Sequence, residues 1–331
     1  MPRHPAKGYG RLPATPVIAL LGPTAVGKSH QALELCREFD GVILSADSRQ
    51  VYRYMDVCTA KPTPADRALV PHYMIDVIEP SETYSARQFA GEAEKILKSS
   101  ALRGRPVFVV GGSGFYVSVL LDRRSIPTVS PNPALRDTLH AEARKVGSRE
   151  MHSRLDVVDP ESAARIHPNN LPRIIRALEI VELTGGPVPL EPSSTPVPAL
   201  YLGLDLERST LHDVADRRID QQMDAGLVEE VEALLAMGYT PDLPALDGLG
   251  YRQIIQYLRG EVPRHEAVEQ YRVATHQYIR RQLTWFRRDT RIEWISVDAS
   301  TGTTLRERVE RYLATASVPV SPTGDAPRVE L

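Results

Sequence analysis

Eight consecutive residues, Gly22, Pro23, Thr24, Ala25, Val26, Gly27, Lys28 and Ser29, have the spacing G-x-x-x-x-G-K-[ST]. Glycines at the two fixed positions let a chain turn so tightly that successive backbone N–H groups point at phosphate oxygens, and a helix starting there adds about half a positive charge. Lys28 supplies a mobile full charge, and the Ser29 hydroxyl is of the type that ligates Mg²⁺. The chemistry served is the holding of a di- or triphosphate; the motif alone does not say which. A nucleotide-hydrolysing enzyme or kinase would add an acidic magnesium residue at the end of a strand. The apolar run 107–110 (VFVV) ends instead in Gly111-Gly112-Ser113-Gly114, which argues against the motor and GTPase readings. The nearest carboxylate after a strand-like run is Asp47, in Ser45-Ala46-Asp47-Ser48-Arg49-Gln50. On spacing it reads equally well as a group facing the cradle across one loop or as a turn or helix-cap residue.

These groups need a scaffold that brings three strand ends together. The segment Val17–Leu21 (VIALL) is a short continuous apolar run, the mark of a strand covered on both faces. After the glycine-rich turn, Ala32, Leu35, Cys36 and Phe39 recur at helical spacing. Residues 42–44 (VIL) and 107–110 read as further parallel strands, each followed by a polar turn. The expectation is an α/β fold, a P-loop doubly wound parallel sheet with ligands beyond the carboxyl ends of its strands. Two proline-rich stretches, 126–133 and 187–198, cannot be helix or central-strand interior. Between them lies a mostly helical pattern. The division expected is therefore a catalytic core of residues 15–123 and 199–314, a helical insertion over 124–198, and flexible tails at 1–14 and 317–331.

Of the 331 residues, 42% are apolar and 25% charged, which excludes a largely disordered chain. No apolar run approaches the roughly 20 residues of a membrane span, and the basic start has no apolar segment of the secretory kind. Two cysteines, Cys36 and Cys58, cannot make a disulfide framework or a four-cysteine zinc site. A cytoplasmic enzyme without a membrane partner is expected. The net charge of −2 argues by itself against a polyanionic partner, but a polyanion feels the local field. Between residues 271 and 292, arginines 272, 280, 281, 287, 288 and 291 face the single acid Asp289. Charge alone reads this as a solvated helix face.

With the cradle, Asp47 and the segment GGSGFY (111–116) in hand, the chain resembles the bacterial tRNA dimethylallyltransferases, also called tRNA isopentenyltransferases. The likeness runs from about residue 17 to residue 294, through SADSRQVY (45–52), TAKPT (59–63), YSARQF (84–89), ARIHPNN (164–170), RALE (176–179), GLVEEV (226–231), GYRQ (250–253) and RRQLTWFRR (280–288). The resemblance implies transfer of the five-carbon unit of dimethylallyl diphosphate to N6 of adenosine 37, in the anticodon loop of tRNAs reading codons that begin with U. Pyrophosphate is released and Mg²⁺ assists. It also implies roles: residues 22–29 hold the diphosphate, Lys28 stabilises the leaving charge, Ser29 ligates the metal, Ser113 hydrogen-bonds near the bridging oxygen, and Asp47 is the general base. Contacts to tRNA are implied for Asp47, Ser48, Arg49, Gln50, Ser113, Arg136, Pro172, Arg173, Ile174, Ile175, Arg176 and Arg280. Arg173 and Arg176 would share one face of a helix opened by Asn170, and Trp285 and Phe286 read as core aromatics rather than stacking platforms. A monomer is expected.

The sequence departs from the family pattern at five places. Pro172 stands for a glutamine, Val214 for a basic residue whose charge Arg217 or Arg218 would have to supply, His276 for an arginine, and Tyr54 and Cys58 for glycines. Three rival readings share parts of the pattern: an adenylate isopentenyltransferase acting on a free nucleotide, a P-loop small-molecule kinase, and an RNA-binding protein without activity. The helical insertion and the basic helix favour tRNA, since a small acceptor needs neither.

Overall fold

Every position of Val17–Leu21 is buried because the strand is covered on both faces: Val17, Ala19 and Leu21 pack into one apolar cluster, Ile18 and Leu20 into another. A computed structural model describes residues 15–99, 104–124, 126–189 and 195–316; both tails expected from the sequence lie outside the described residues. In chain order the first elements are β1 (Val17–Leu21), α1 (Lys28–Glu38), β2 (Val42–Ser45), α2 (Pro64–Leu69), β3 (His72–Tyr73), α3 (Ala86–Leu97), β4 (Val107–Gly111) and α4 (Gly114–Leu121). Four helices follow, α5 (Pro133–Val146), α6 (Ser148–Val158), α7 (Pro160–Arg165) and α8 (Leu171–Thr184). The chain then adds β5 (Leu200–Asp205), α9 (Arg208–Asp224), α10 (Leu227–Ala236), α11 (Tyr251–Leu258), α12 (Arg264–Phe286), β6 (Glu293–Ser296) and α13 (Thr301–Ala316).

The six strands form one sheet in the order β3-β2-β4-β1-β5-β6, every pairing parallel. This is the α/β parallel sheet expected. The register sets the site: Leu21 lies opposite Gly111, and Ser45 opposite Val110. The carboxyl ends of β2, β4 and β1 are therefore flush and adjacent, each strand about 4.8 Å from the next. A third cluster lies beyond that edge, where Val51, Met55 and Cys58 pack against Leu227, Ile254 and Tyr271.

Residues 124–194 form a separate compact unit. Its four helices enclose Leu139, Met151, Leu155, Ile174 and Leu178. Its polar centre is Glu179, fully buried, which accepts hydrogen bonds from the Asn132 N–H, from Arg136 Nε and from Arg176. Burial alone would raise this carboxyl, but those donors hold it below the usual range. Replacing Glu179 with glutamine leaves two guanidinium groups without their shared anion. The expected loss is about 2 kcal/mol of stability, the worth of charged hydrogen bonds exchanged for neutral ones, read as a lower midpoint in urea with an unchanged slope.

Candidate active site

The cradle is built by backbone conformations that few side chains tolerate. Gly22 has φ of 142°, and a Cβ there would sit 2.7 Å from the Leu204 carbonyl oxygen. Gly27 has φ of 96° immediately before α1, and Ala25 is held in the left-handed region at 66°. Helix α1 begins at Lys28, so its first-turn N–H groups, which a helix cannot satisfy internally, open towards the loop. Lys28 Nζ folds back to donate to the Pro23 carbonyl at 2.5 Å. Burial, and then the nearby Arg218 cation, push the Lys28 ammonium down to about 7, against the pull of Asp47.

The adjacent strand ends supply the opposite wall. Asp47 follows β2 and does what a turn residue does, its Oδ1 accepting the Arg49 N–H at 2.8 Å. It also lines the same cleft as Lys28, so both readings of the residue hold. Gln50 spans the loop, accepting from Ser45 Oγ and donating to the Thr59 and Ala60 carbonyls. Arg49 donates to the Pro244 carbonyl. At the end of β4, Ser113 Oγ accepts the Ser48 N–H at 3.1 Å, tying the Asp47 loop to the glycine turn. The cleft wall beside it is Val110, Gly111 and Gly112.

Together these groups bound a cleft of about 730 Å³, large enough for a substrate molecule. It holds Thr24, Ala25, Gly27, Lys28 and Ser29 of the cradle together with Asp47, Ser48, Arg49 and Gln50. Arg217 and Arg218 of α9 line it too, beside Val214, so the charge missing at 214 is present one turn further along the helix. Among the described residues no cluster of three or more His, Cys, Asp or Glu could hold a metal alone. A magnesium ion at such a site takes one or two protein oxygens and completes its shell with phosphate oxygens and water; the exposed Ser29 hydroxyl fits that pattern.

Helix α12 closes the cleft with residues to which the sequence reading gave no role: Tyr278, Arg281 and Gln282. Burial, then the Asp47 charge, raise the Tyr278 phenol to about 12, so it stays a neutral donor. Arg280 is exposed and does not line the cleft. The basic run also sorts itself. Arg272, Arg287 and Arg291 are paired with acids, whereas Arg280, Arg281 and Arg288 have no ion pair among the described residues. Phe286 is core, and Trp285 packs against that core and edge-on to Phe115.

The remaining candidates lie in the separate helical unit. Arg136 and Arg176 are bound to Glu179. Arg173 and Pro172 are exposed at the start of α8, whereas Ile174 and Ile175 are buried among its apolar residues and present only backbone. Asn170 occupies the cap position of α8, but its side chain makes no capping hydrogen bond. Three departures from the family pattern have visible consequences. Tyr54 sits at φ 63°, a conformation that favours glycine. The Cys58 sulfur fills the space beside Gly250, where a Cβ would meet it at 2.3 Å. His276 stacks on His212 at 3.9 Å and hydrogen-bonds Asp216.

Comparison with known proteins places the chain in a family. The family model described as IPP transferase matches residues 50–289. A tRNA dimethylallyltransferase of Thermomicrobium roseum is 45% identical over 301 residues, 90% of this chain and 92% of that protein. The crystal structure of the full-length tRNA isopentenylpyrophosphate transferase of Bacillus halodurans matches with a TM-score of 0.69 at 35% identity, over 91% of this chain and 98% of that one. A eukaryotic dimethylallyltransferase, solved acting on tRNA, shares the fold with a TM-score of 0.76 at 23% identity, over 94% of this chain and 82% of that one. With the family model matching residues 50–289 and a relative 45% identical over nine-tenths of its length, the chain belongs to the IPP transferase family of tRNA dimethylallyltransferases.

Proposed function

We propose that this protein transfers the dimethylallyl group from dimethylallyl diphosphate to N6 of adenosine 37 in tRNAs that read codons beginning with U, releasing pyrophosphate. One observation carries the reading: a phosphate cradle with its lysine, on β1, and a carboxylate at the end of β2, one strand removed, share a single cleft. A donor diphosphate in the cradle puts its leaving charge against Lys28, Arg218 and the α1 N-terminus. Stabilising that charge lowers the barrier more than any other single effect as the allylic C–O bond breaks. The Ser29 hydroxyl would hold Mg²⁺, which supplies further charge neutralisation on the diphosphate. The adenine amine is a poor nucleophile because its lone pair is delocalised into the ring. Asp47 has one oxygen committed to the Arg49 N–H; its other oxygen accepts the N6 proton as the new C–N bond forms.

The acceptor base must leave its stack to reach this depth. Arg280, Arg281 and Arg288, without an acid partner among the described residues, suit the phosphates of an anticodon loop, as does exposed Arg173. Arg136 and Arg176 would meet RNA with the donors that Glu179 leaves over, and Pro172, Ile174 and Ile175 would contribute backbone. Ser48, Arg49, Gln50 and Ser113 would shape the pocket for the flipped base. Among the described residues no helix is long and apolar enough to cross a membrane; a monomer acting in the cytoplasm fits this reading.

The test is incubation with labelled dimethylallyl diphosphate and Mg²⁺, with unmodified tRNA or AMP as acceptor, followed by digestion. N6-prenyl adenosine from tRNA alone is the expected result. Label only in AMP would indicate the free-nucleotide enzyme. ATP consumption without label would indicate a kinase, and tRNA binding without any chemistry an inactive RNA-binding protein.

A further inference from the structure

Helix α12 meets the cradle through Gln282, a side chain with no part in the chemistry so far described. The residue is 5% exposed and makes two hydrogen bonds of opposite sense. Its Oε1 accepts the Thr24 N–H at 2.9 Å, and its Nε2 donates to the Gly112 carbonyl at 3.1 Å. Thr24 is the third residue of the cradle, immediately before Ala25 in its left-handed conformation; Gly112 immediately precedes Ser113. One side-chain amide therefore joins the loop on β1 to the turn on β4. The contact is closed: a Cβ on Gly112 would lie 2.1 Å from Nε2, and one on Gly114 would lie 2.2 Å from Cδ1 of Trp285, one turn further along α12.

We propose that Gln282 is a positioning residue that holds the cradle in its diphosphate-binding shape and at a fixed distance from the Ser113 turn. It acts through Thr24 and Gly112 rather than on a substrate. A left-handed alanine is strained, and the Thr24 N–H, anchored one residue earlier, is where the fold restrains that turn. The amide leaves the following N–H groups, from Ala25 to the start of α1, for phosphate. The same helix carries Tyr278 and Arg281 on the cleft wall, so the acceptor side and the donor cradle share one rigid element. The proposal rests on the donor's diphosphate occupying this cradle.

The experiment uses the full chain with inorganic pyrophosphate and Mg²⁺ in a titration calorimeter, alongside filter binding of tRNA, steady-state turnover and thermal melting. Gln282→Met keeps the length and removes both hydrogen bonds. Gln282→Glu keeps the acceptor for Thr24 but sets a carboxylate against the Gly112 carbonyl. The methionine variant is expected to bind pyrophosphate about tenfold more weakly, equivalent to ~1.4 kcal/mol, with kcat reduced and tRNA affinity within about twofold. The glutamate variant is expected to keep pyrophosphate affinity within about threefold while losing kcat, because only the link to the Ser113 turn is broken. Unchanged pyrophosphate binding and turnover in both variants would overturn the proposal. So would equal weakening of pyrophosphate and tRNA, the mark of general loosening. If the methionine variant does not fold, the split between affinity and kcat in the glutamate variant decides. A protein with Gln282 intact that binds no pyrophosphate would instead overturn the functional reading itself.

Discussion

Asp47→Asn is expected to lower turnover at least about 100-fold, within the range lost with a general base, while the melting temperature stays within a few degrees. The structure explains why this substitution separates chemistry from folding. Asp47 has a turn-building task, accepting the Arg49 N–H at 2.8 Å, and the asparagine side-chain carbonyl can accept the same bond. What asparagine cannot do is take a proton from the adenine amine. Alanine would confuse the two effects by releasing the loop that carries Ser48, Arg49 and Gln50. Single-turnover prenylation of saturating tRNA, followed by quenching and digestion, measures the step directly. Near-unchanged turnover in Asp47→Asn would remove this carboxylate from the mechanism and leave it as a turn residue.

Local pattern makes the centre of the sheet legible, and its edges less so. β1, β2 and β4 are runs of consecutive apolar residues covered on both faces, and the P-loop signature marks its own strand and helix. β5 escapes pattern reading because Gly203 interrupts it; a Cβ there would meet Ile292 at 2.5 Å and Trp294 at 2.8 Å, a reason that exists only after folding. β3 has two residues, too short for periodicity to register, and the four of β6 offer a single buried position instead of an apolar run. The same limit applies at the site. Lys28 and Asp47 sit in contiguous motifs, but Gln282 reaches Thr24 across 258 positions. Asp220, which pairs with Arg272, is 52 positions away, and Glu179, which pairs with Arg136, is 43. A run of arginines therefore shows where positive charge is dense, whereas the folded chain decides which arginines remain for a polyanion.

Lys28 yields the second large effect and a pH signature of its own. With its ammonium held near 7 by burial and by Arg218, the side chain is mostly neutral at pH 8 in the free protein. A diphosphate bound against it reverses both influences, because the anion replaces lost hydration and outweighs the Arg218 charge. The bound lysine therefore titrates at a higher pH than the free one. Binding at pH 8 must take up close to one proton at this site, whereas binding near pH 5.5, where the lysine is already charged, takes up none there. The sign follows: affinity for pyrophosphate falls as pH rises above about 7, by up to tenfold per unit until the bound-state value is passed. Calorimetry in buffers of different ionisation enthalpy measures the uptake directly, once the pyrophosphate's own titration is subtracted. Lys28→Met is expected to abolish that proton and to lower kcat by roughly 10²–10³, the loss seen when a donor to a developing oxyanion is removed. Proton uptake that persists in the methionine variant would assign the titration elsewhere. Unchanged turnover there would mean that the α1 N-terminus and Arg218 stabilise the departing diphosphate without this lysine.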